Sequence, residues 1–302
     1  MPYSDNEWVI KKLSNLMKNV CYMEYLCREK LLKIFSIYDK ELSLHSSNAK
    51  KNLISKFITH KRIDAGFYSP LVNNFFSKLD IIGSYILKDL DFSIKRGPNL
   101  AKRDLGRSIQ TSVANEKYYR LIYPSDISNS GYITKEIYLG TANKIWLLSK
   151  GDILFSGEGN VGKTFIICNE MKFTTNFHGI IVRPNFVDND LTKSIFIGSF
   201  LYYMKHIGVM DRLSVGGQGG SFAIQYWDIL KFPKISNESL SRIVKLYNSY
   251  HDIDLFSFDF EKLNEIGVSQ INELRIKCNN LISSILNDLK NNSLKEESDY
   301  TV

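Results

Sequence analysis

Apolar residues near the start of the chain recur at helical spacing. Leu13, Leu16, Val20, Met23 and Cys27 follow at steps of three, four, three and four, and Ile34 lies one heptad beyond Cys27. That seam predicts a helix over residues 7–37 with one narrow apolar face and Lys, Asn and Glu elsewhere. HSSNAKKN at 45–52 breaks the pattern and reads as a linker. From about 61 to 235 the period changes. Gly, Pro, Asn and Ser punctuate short β-branched or aromatic stretches such as ILFS (153–156), TFIIC (164–168), GIIVRP (179–184) and SFAIQY (221–226), which predicts strands. A few helices are expected within this region, such as the one at 191–208. Pro233 should end a strand, with Ser236 or Asn237 capping the helix that follows. Leu240, Ile243, Val244, Tyr247 and Tyr250 then share a helical face. After a break at DIDLFSFD, Ile271, Leu274, Cys278, Leu281 and Ile285 predict one long helix from Glu261 to about Lys290.

The order is therefore helix, β-rich globule, long coiled-coil-like helices, an α+β chain. Its expected divisions are a helical segment at 1–55, the globule at 56–235, helices at 236–292 and a frayed tail at 293–302. With 302 residues, 44% apolar and 24% charged, the chain can bury a substantial core, and wholesale disorder is excluded. The longest apolar runs, such as SIFIGSFLYYM at 194–204, are shorter than a membrane span, and MPYSDNEWVIKK does not resemble a secretory leader. A cytoplasmic protein without membrane association is the expectation. Cys21, Cys27, Cys168 and Cys278 are too scattered for a disulfide framework or a zinc site and read as reduced, mostly buried thiols. The net charge of +7 favours a polyanionic partner. The excess is uneven: residues 91–125 hold seven Lys and Arg against three acids.

GEGNVGKT at 157–164 satisfies the phosphate-loop pattern G-x-x-x-x-G-K-[ST] and follows an expected strand. In a nucleotide hydrolase Lys163 would reach the terminal phosphates and Thr164 would hold magnesium. That chemistry needs a helix starting at the lysine, because helix amides and dipole bind the anion. TFIICNE reads instead as a strand of five residues. LFSFD at 255–259, the only candidate for the magnesium acid, falls in a break between helices. A Gly-rich turn between two strands accounts for the same letters.

In context, KGDILFSGEGNVGKTFIICNE (150–170) resembles the hairpin of target recognition domains in specificity subunits of type I restriction–modification systems. In that family a Lys/Arg-Gly-Asp-Ile-Leu strand leads through a Gly-rich turn ending in Gly-Lys to a second apolar strand. KRIDAGFYSP (61–70) resembles the opening of such a domain, and SIKRGPNLAKRD (93–104) its Gly-rich basic loop. SVGGQGGSFAIQYWDILKFPKIS (214–236) resembles its Gly/Gln/Ser loop and closing strand. The helix from Leu240 matches the start of the family's spacer helix. The resemblance covers about 60–290 and implies a non-catalytic subunit that recognises double-stranded DNA. It would direct a partner adenine-N6 DNA methyltransferase, and a restriction/translocase subunit where one accompanies it, to a bipartite site. Family subunits carry two recognition domains and two spacers, whereas this chain has room for one of each, which implies a half-subunit acting as a homodimer. The segment 251–270 is longer than the family pattern. No cofactor is expected in this chain; S-adenosylmethionine would belong to the methyltransferase. No Asp/Asn-Pro-Pro-Tyr/Phe motif for gripping a flipped base is present.

DNA recognition requires cations for phosphates and polar side chains for base edges. The DNA-binding candidates are Lys95, Arg96, Asn99, Lys102, Arg103 and Arg107 in the Gly/Pro-broken loop, Lys163 and Thr164 at the end of the hairpin turn, and Gln218 and Ser221 in GGQGGS. Gln218 could pair bidentately with adenine. Phe75, Phe76, Tyr118, Tyr119, Tyr202 and Tyr203 are assigned to packing, and His178, His206 and His251 to structure, since they lack metal or catalytic spacing. Two rival readings are a phosphate-loop nucleotidase and a coiled-coil adaptor with an incidental basic loop.

Overall fold

The computed structural model describes residues 7–43, 64–187, 189–216 and 220–300. The principal helices are α1 (Glu7–Ser43), α2 (Pro70–Ile82), α3 (Thr192–His206), α4 (Asn237–Tyr247), α5 (Phe260–Glu265) and α6 (Val268–Lys290). The strands are β1 (Ser84–Tyr85), β2 (Phe92–Arg96), β3 (Ser108–Thr111), β4 (Tyr119–Leu121), β5 (Ile137–Thr141), β6 (Ile153–Ser156), β7 (Thr164–Ile166), β8 (Phe173–Thr174), β9 (Gly179–Pro184) and β10 (Phe232–Pro233). The fold is α+β, and the chain forms two compact units, Lys33–Val244 and Met1–Leu32 with Lys245–Val302.

The larger unit is built on two four-stranded sheets, ordered β2-β9-β6-β7 and β3-β5-β4-β8, with a small β1-β10 pair. Pairing is antiparallel except between β4 and β8. Strand β6 shows why its sequence is apolar from Ile153 to Phe155 without alternation. Leu154 points into a core with Phe165 and Ile181 of its own sheet and with Ile122 and Phe173 from the β4–β8 region. On the opposite face Phe155 meets Trp227 at 4.9 Å between ring centroids. Ile153 and Ile166 lie under α3, where a Cβ on Gly198 would come within 2.7 Å of Ile166. Both faces of β6 are covered, so alternation disappears.

Helix α3 matches the expected 191–208 segment and is apolar around most of its circumference because neighbours enclose it. Tyr38 donates to the Phe196 carbonyl at 3.1 Å and contacts the Ser199 hydroxyl at 2.9 Å, while Tyr203 donates to Asp39 at 2.6 Å. Phe75, Phe76, Tyr202 and Tyr203 are buried as expected for packing residues, and Tyr118 and Tyr119 are half-buried. Helix α2, not singled out in the sequence, opens on Ser69 as cap with Pro70 at its first position. Pro233 closes β10, and the Ser236 hydroxyl accepts from Ser239 N at 3.2 Å, capping α4 as anticipated.

The smaller unit corrects the helical reading in three respects. Helix α1 runs six residues past 37, and its seam is not purely apolar. Leu16, Met23 and Cys27 are buried, but so are Lys12, Asn19 and Lys30. These polar groups hold the segment that follows α4. Asn19 donates to the carbonyls of Leu255 and Ser257, both at 2.8 Å, Asn15 to Phe256 O at 2.8 Å and Lys30 to Asn264 O at 2.8 Å. Second, the single helix expected from Glu261 is two, α5 and α6, parted at Ile266–Gly267. Gly267 donates to Ser249 O at 2.7 Å, and a Cβ there would lie 2.5 Å from Tyr247 O. The chain leaving α4 occupies the space a continuous helix needs. Third, the end read as a frayed tail is anchored: Tyr300 is buried, donates to Asp288 at 2.8 Å and packs on Trp8 at 6.0 Å.

The seam of α6 holds as read, with Ile271, Leu274, Cys278, Leu281 and Ile285 buried. Arg275, also buried, pairs with Glu24 of α1. Cys27 and Cys278 are buried with thiols pushed up to about 12 by desolvation, whereas Cys21 is exposed and Cys168 intermediate. The linker at 45–52 lies outside the described residues.

Candidate nucleic-acid interface

The hairpin formed by β6 and β7 is the centre of the region. Ile153, Leu154 and Phe155 pair antiparallel with Ile166, Phe165 and Thr164, so Thr164 opens a strand. Three of the turn's amides are already used: Gly159 N donates to Gly220 O at 3.0 Å, Val161 N to Gly159 O at 3.0 Å and Gly162 N to Ser156 O at 3.0 Å. Gly162 sits at φ +98°, and a Cβ there would be 2.9 Å from the Met210 Cβ. Satisfied amides and a strand after the lysine leave no anion cradle of the phosphate-loop type. Asp259, in the proposed magnesium motif, caps α5 through Lys262 N at 3.1 Å.

Lys163 and Thr164 are therefore corrected from phosphate contacts to structural groups. Lys163 is 8% exposed and donates to Ile127 O at 2.7 Å. Burial lowers its pKa, and nearby Lys205 lowers it further. The Thr164 hydroxyl donates to Gly198 O at 2.9 Å, tying β7 to α3. The Gly-Asp of the hairpin motif is structural as well. The fully buried Asp152 accepts a two-pronged pair from Arg183 of β9, with Nε at 2.8 Å, and also accepts from Ser149 N at 2.7 Å. The Arg183 guanidinium lies 4.1 Å from the Trp146 ring centroid.

At the turn's tip three neighbouring strands of one sheet end together. Arg96 closes β2, His178 immediately precedes β9, and Glu158 lies two residues after β6. Arg96 Nη1 donates to Glu158 Oε1 at 3.1 Å, and His178 Nδ1 meets Glu158 Oε2 at 2.5 Å. The Arg96 guanidinium stacks 4.9 Å from the centroid of Phe177, itself 49% exposed. Partial burial opposes ionisation of Glu158, but hydrogen bonds from His178 and Arg96 outweigh it, so its pKa lies below the ordinary value. Ser221 joins this end: it bridges Glu158 and Val215, with Val215 N donating to Ser221 O at 2.8 Å. Gln218 lies outside the described residues.

Lys95, like Arg96, lies in strand β2 and not in the loop expected for it, and Asn99, Lys102, Arg103 and Arg107 lie on an arm between β2 and β3. Lys95 and Asn99 are exposed, and Asn99 Oδ1 accepts from Ala101 N at 3.2 Å. The short helix Lys102–Leu105 is anchored by buried Leu105, packed with Leu121 and Leu139. Lys102, Arg103 and Arg107 are exposed around it. Arg103 forms a solvent-exposed pair with Asp104 at 3.6 Å. Asn143 donates to Asp104 O at 2.9 Å, and Ala142 N to Arg107 O at 2.9 Å, which brings exposed Lys144 alongside.

Sequence reading missed Lys144 and Phe177 and assigned His178 to structure alone. Their only signal was position: both 142–144 and 176–178 are turns of a Gly- and Asn-bearing chain. His206 stacks on Phe35 at 4.7 Å, and His251 lies 3.4 Å from Glu265. Among the described residues no cluster of three His, Cys, Asp or Glu is placed to hold a metal, and no helix is long and apolar enough to cross a membrane.

No protein-family model and no curated protein matches the chain. Its neighbours among solved structures come from type I restriction–modification systems. The S subunit of such a system from M. genitalium is similar at 14% identity and a TM-score of 0.46, covering 95% of this chain and 57% of that one. The HsdS subunit from Thermoanaerobacter tengcongensis is similar at 13% identity and a TM-score of 0.39, covering 95% and 58%. A chain from a study of assembly and conformational transition of the type I R-M system is similar at 14% identity and a TM-score of 0.39, covering 97% and 61%. This chain thus spans about three fifths of the length of the proteins it resembles.

Proposed function

We propose that the protein is a non-catalytic, sequence-specific DNA-binding specificity subunit of a type I restriction–modification system. It directs an adenine-N6 methyltransferase, and a restriction/translocase subunit where one is present, to its site. The observation that carries this reading is the convergence at one sheet end of the hairpin turn, Arg96 and Ser221, three segments far apart in sequence. The neighbouring arm adds exposed Lys102, Arg103 and Arg107, giving cations for phosphate and polar groups for base edges. The ordered sequence motifs at 61–70, 93–104, 150–170 and 214–236 support the same reading.

The span 56–235 serves as the recognition domain, and the helices at 236–292 with 7–37 set the spacing and dock the methyltransferase. Two copies of the chain read a bipartite site. Exposed Ile10, Met17, Tyr25, Phe260 and Leu286 in the helical unit offer apolar surface for such assembly. The work takes place in the cytoplasm.

The test is to select binding sites from random duplexes with the full chain, alone and with a type I adenine-N6 methyltransferase subunit, at moderate salt. A recovered two-part motif and N6-adenine methylation within it are expected. Enrichment of no sequence in either condition would overturn the reading.

A further inference from the structure

We infer that Arg96 is the residue that reads a guanine, held for that task by Glu158 from one side and by the Phe177 ring from below. The inference deepens the DNA-recognition reading and rests on it. A guanidinium reads guanine through two parallel N–H groups directed at O6 and N7, which requires the plane of the fork to be fixed before contact. Most surface arginines lack this, because several rotatable bonds must be frozen on binding.

Arg96 is fixed already. Its Nη1 edge is taken by Glu158 Oε1 at 3.1 Å and, more weakly, by Phe177 O at 3.4 Å. Its face lies on Phe177. Its other edge, Nε with Nη2, meets no hydrogen-bond acceptor among the described residues. That leaves one complete two-donor edge available in a preset plane.

The holder is itself held. Glu158 Oε2 is engaged by His178, and the residue's backbone is fixed by the Ser156 hydroxyl, which donates to Glu158 O at 3.2 Å, and by the bridge to Ser221. Glu158 is therefore a positioning residue. Its carboxylate also weakens purely electrostatic attraction to phosphate at this spot, which favours base contact over backbone contact for Arg96. The arm, where the described carboxylate among Lys102, Arg103 and Arg107 is Asp104 in a solvent-exposed pair with Arg103, is suited to phosphate.

The experiment compares site selection from random duplexes by the wild-type full chain, Arg96→Lys and Glu158→Gln, together with affinity for a fixed non-cognate duplex. Wild type should require guanine at one position, by roughly 5- to 150-fold over other bases. Arg96→Lys keeps the charge but not the planar fork; it should weaken that preference while non-cognate affinity stays within about twofold. Glu158→Gln should weaken the preference at the same position and leave the rest of the motif intact. An unchanged guanine preference in Arg96→Lys overturns the assignment while the DNA-recognition reading stands. An unchanged preference in Glu158→Gln alone overturns the positioning role. A wild-type chain that enriches no motif sinks the DNA-recognition reading itself, and this inference with it.

Discussion

Lys163 and Arg107 each follow a glycine in a turn-rich stretch, yet they face opposite environments. Lys163 is buried with its ammonium on a main-chain oxygen, and the hairpin around it commits Asp152, Thr164 and Arg183 to internal partners as well. Arg107 is exposed, as are Lys102 and Arg103 before it. The difference teaches that the recognisable letters of the hairpin are those that build it. A buried polar group needs a specific partner, which constrains residue type at that position. An exposed arm is constrained only in charge and reach, so the groups suited to DNA sit where the pattern is least distinctive.

The strongest challenge to this contrast is Asp152→Ala. Leaving Arg183 without its carboxylate should lower stability by about 3–5 kcal/mol, measured by urea unfolding; a loss under about 1 kcal/mol would show the hairpin motif is not structural. Replacing Lys102, Arg103 and Arg107 together by Ala should leave unfolding nearly unchanged, within about 0.5 kcal/mol per site. The same triple variant should flatten the dependence of log affinity on log salt by about 2.7, at about 0.9 for each phosphate no longer neutralised. Lys163→Met should do the reverse. It should cost about 1–3 kcal/mol by leaving the Ile127 carbonyl unmatched, with no change in the salt slope, and a flattened slope there would reassign the residue to DNA.

The smallest effect expected is the acid sensitivity of Glu158. Its pKa is lower in the folded chain than its ordinary value, so its ionised form stabilises the fold above the unfolded-state pKa. That contribution disappears as pH falls through the folded pKa. The stability gap between wild type and Glu158→Gln should therefore be present at pH 7 and shrink as pH falls below the ordinary glutamate value of about 4.3. A gap that does not change on acidification would mean the substitution acts through packing.

The periodicity of the sequence exposed much of the architecture. The α6 seam, the α3 helix, the hairpin and the Ser236 cap follow from spacing and turn chemistry. Other features did not, because non-local contacts decide them. A helix is interrupted at Gly267 only because the chain leaving α4 lies against it, and Lys12, Asn19 and Lys30 are buried in the α1 seam only because carbonyls from 255–264 and an aromatic ring at 256 meet them. In the candidate interface the loop at 95–107 was visible from its charge. The pairing of Arg96, Glu158 and His178 was not, since it depends on three strand ends brought side by side by sheet order.

The grip of α1 on the stretch from Leu255 to Asn264 has an evolutionary corollary. Asn15, Asn19 and Lys30 hold carbonyl oxygens, a group every amino acid carries. Exposed positions such as Ser257 are thus freer to drift than buried Leu255 and Leu263, while the course of the stretch stays put. Inserting or deleting a single residue there would misalign several of these clasps at once, so such lineages should vary in composition long before they vary in length.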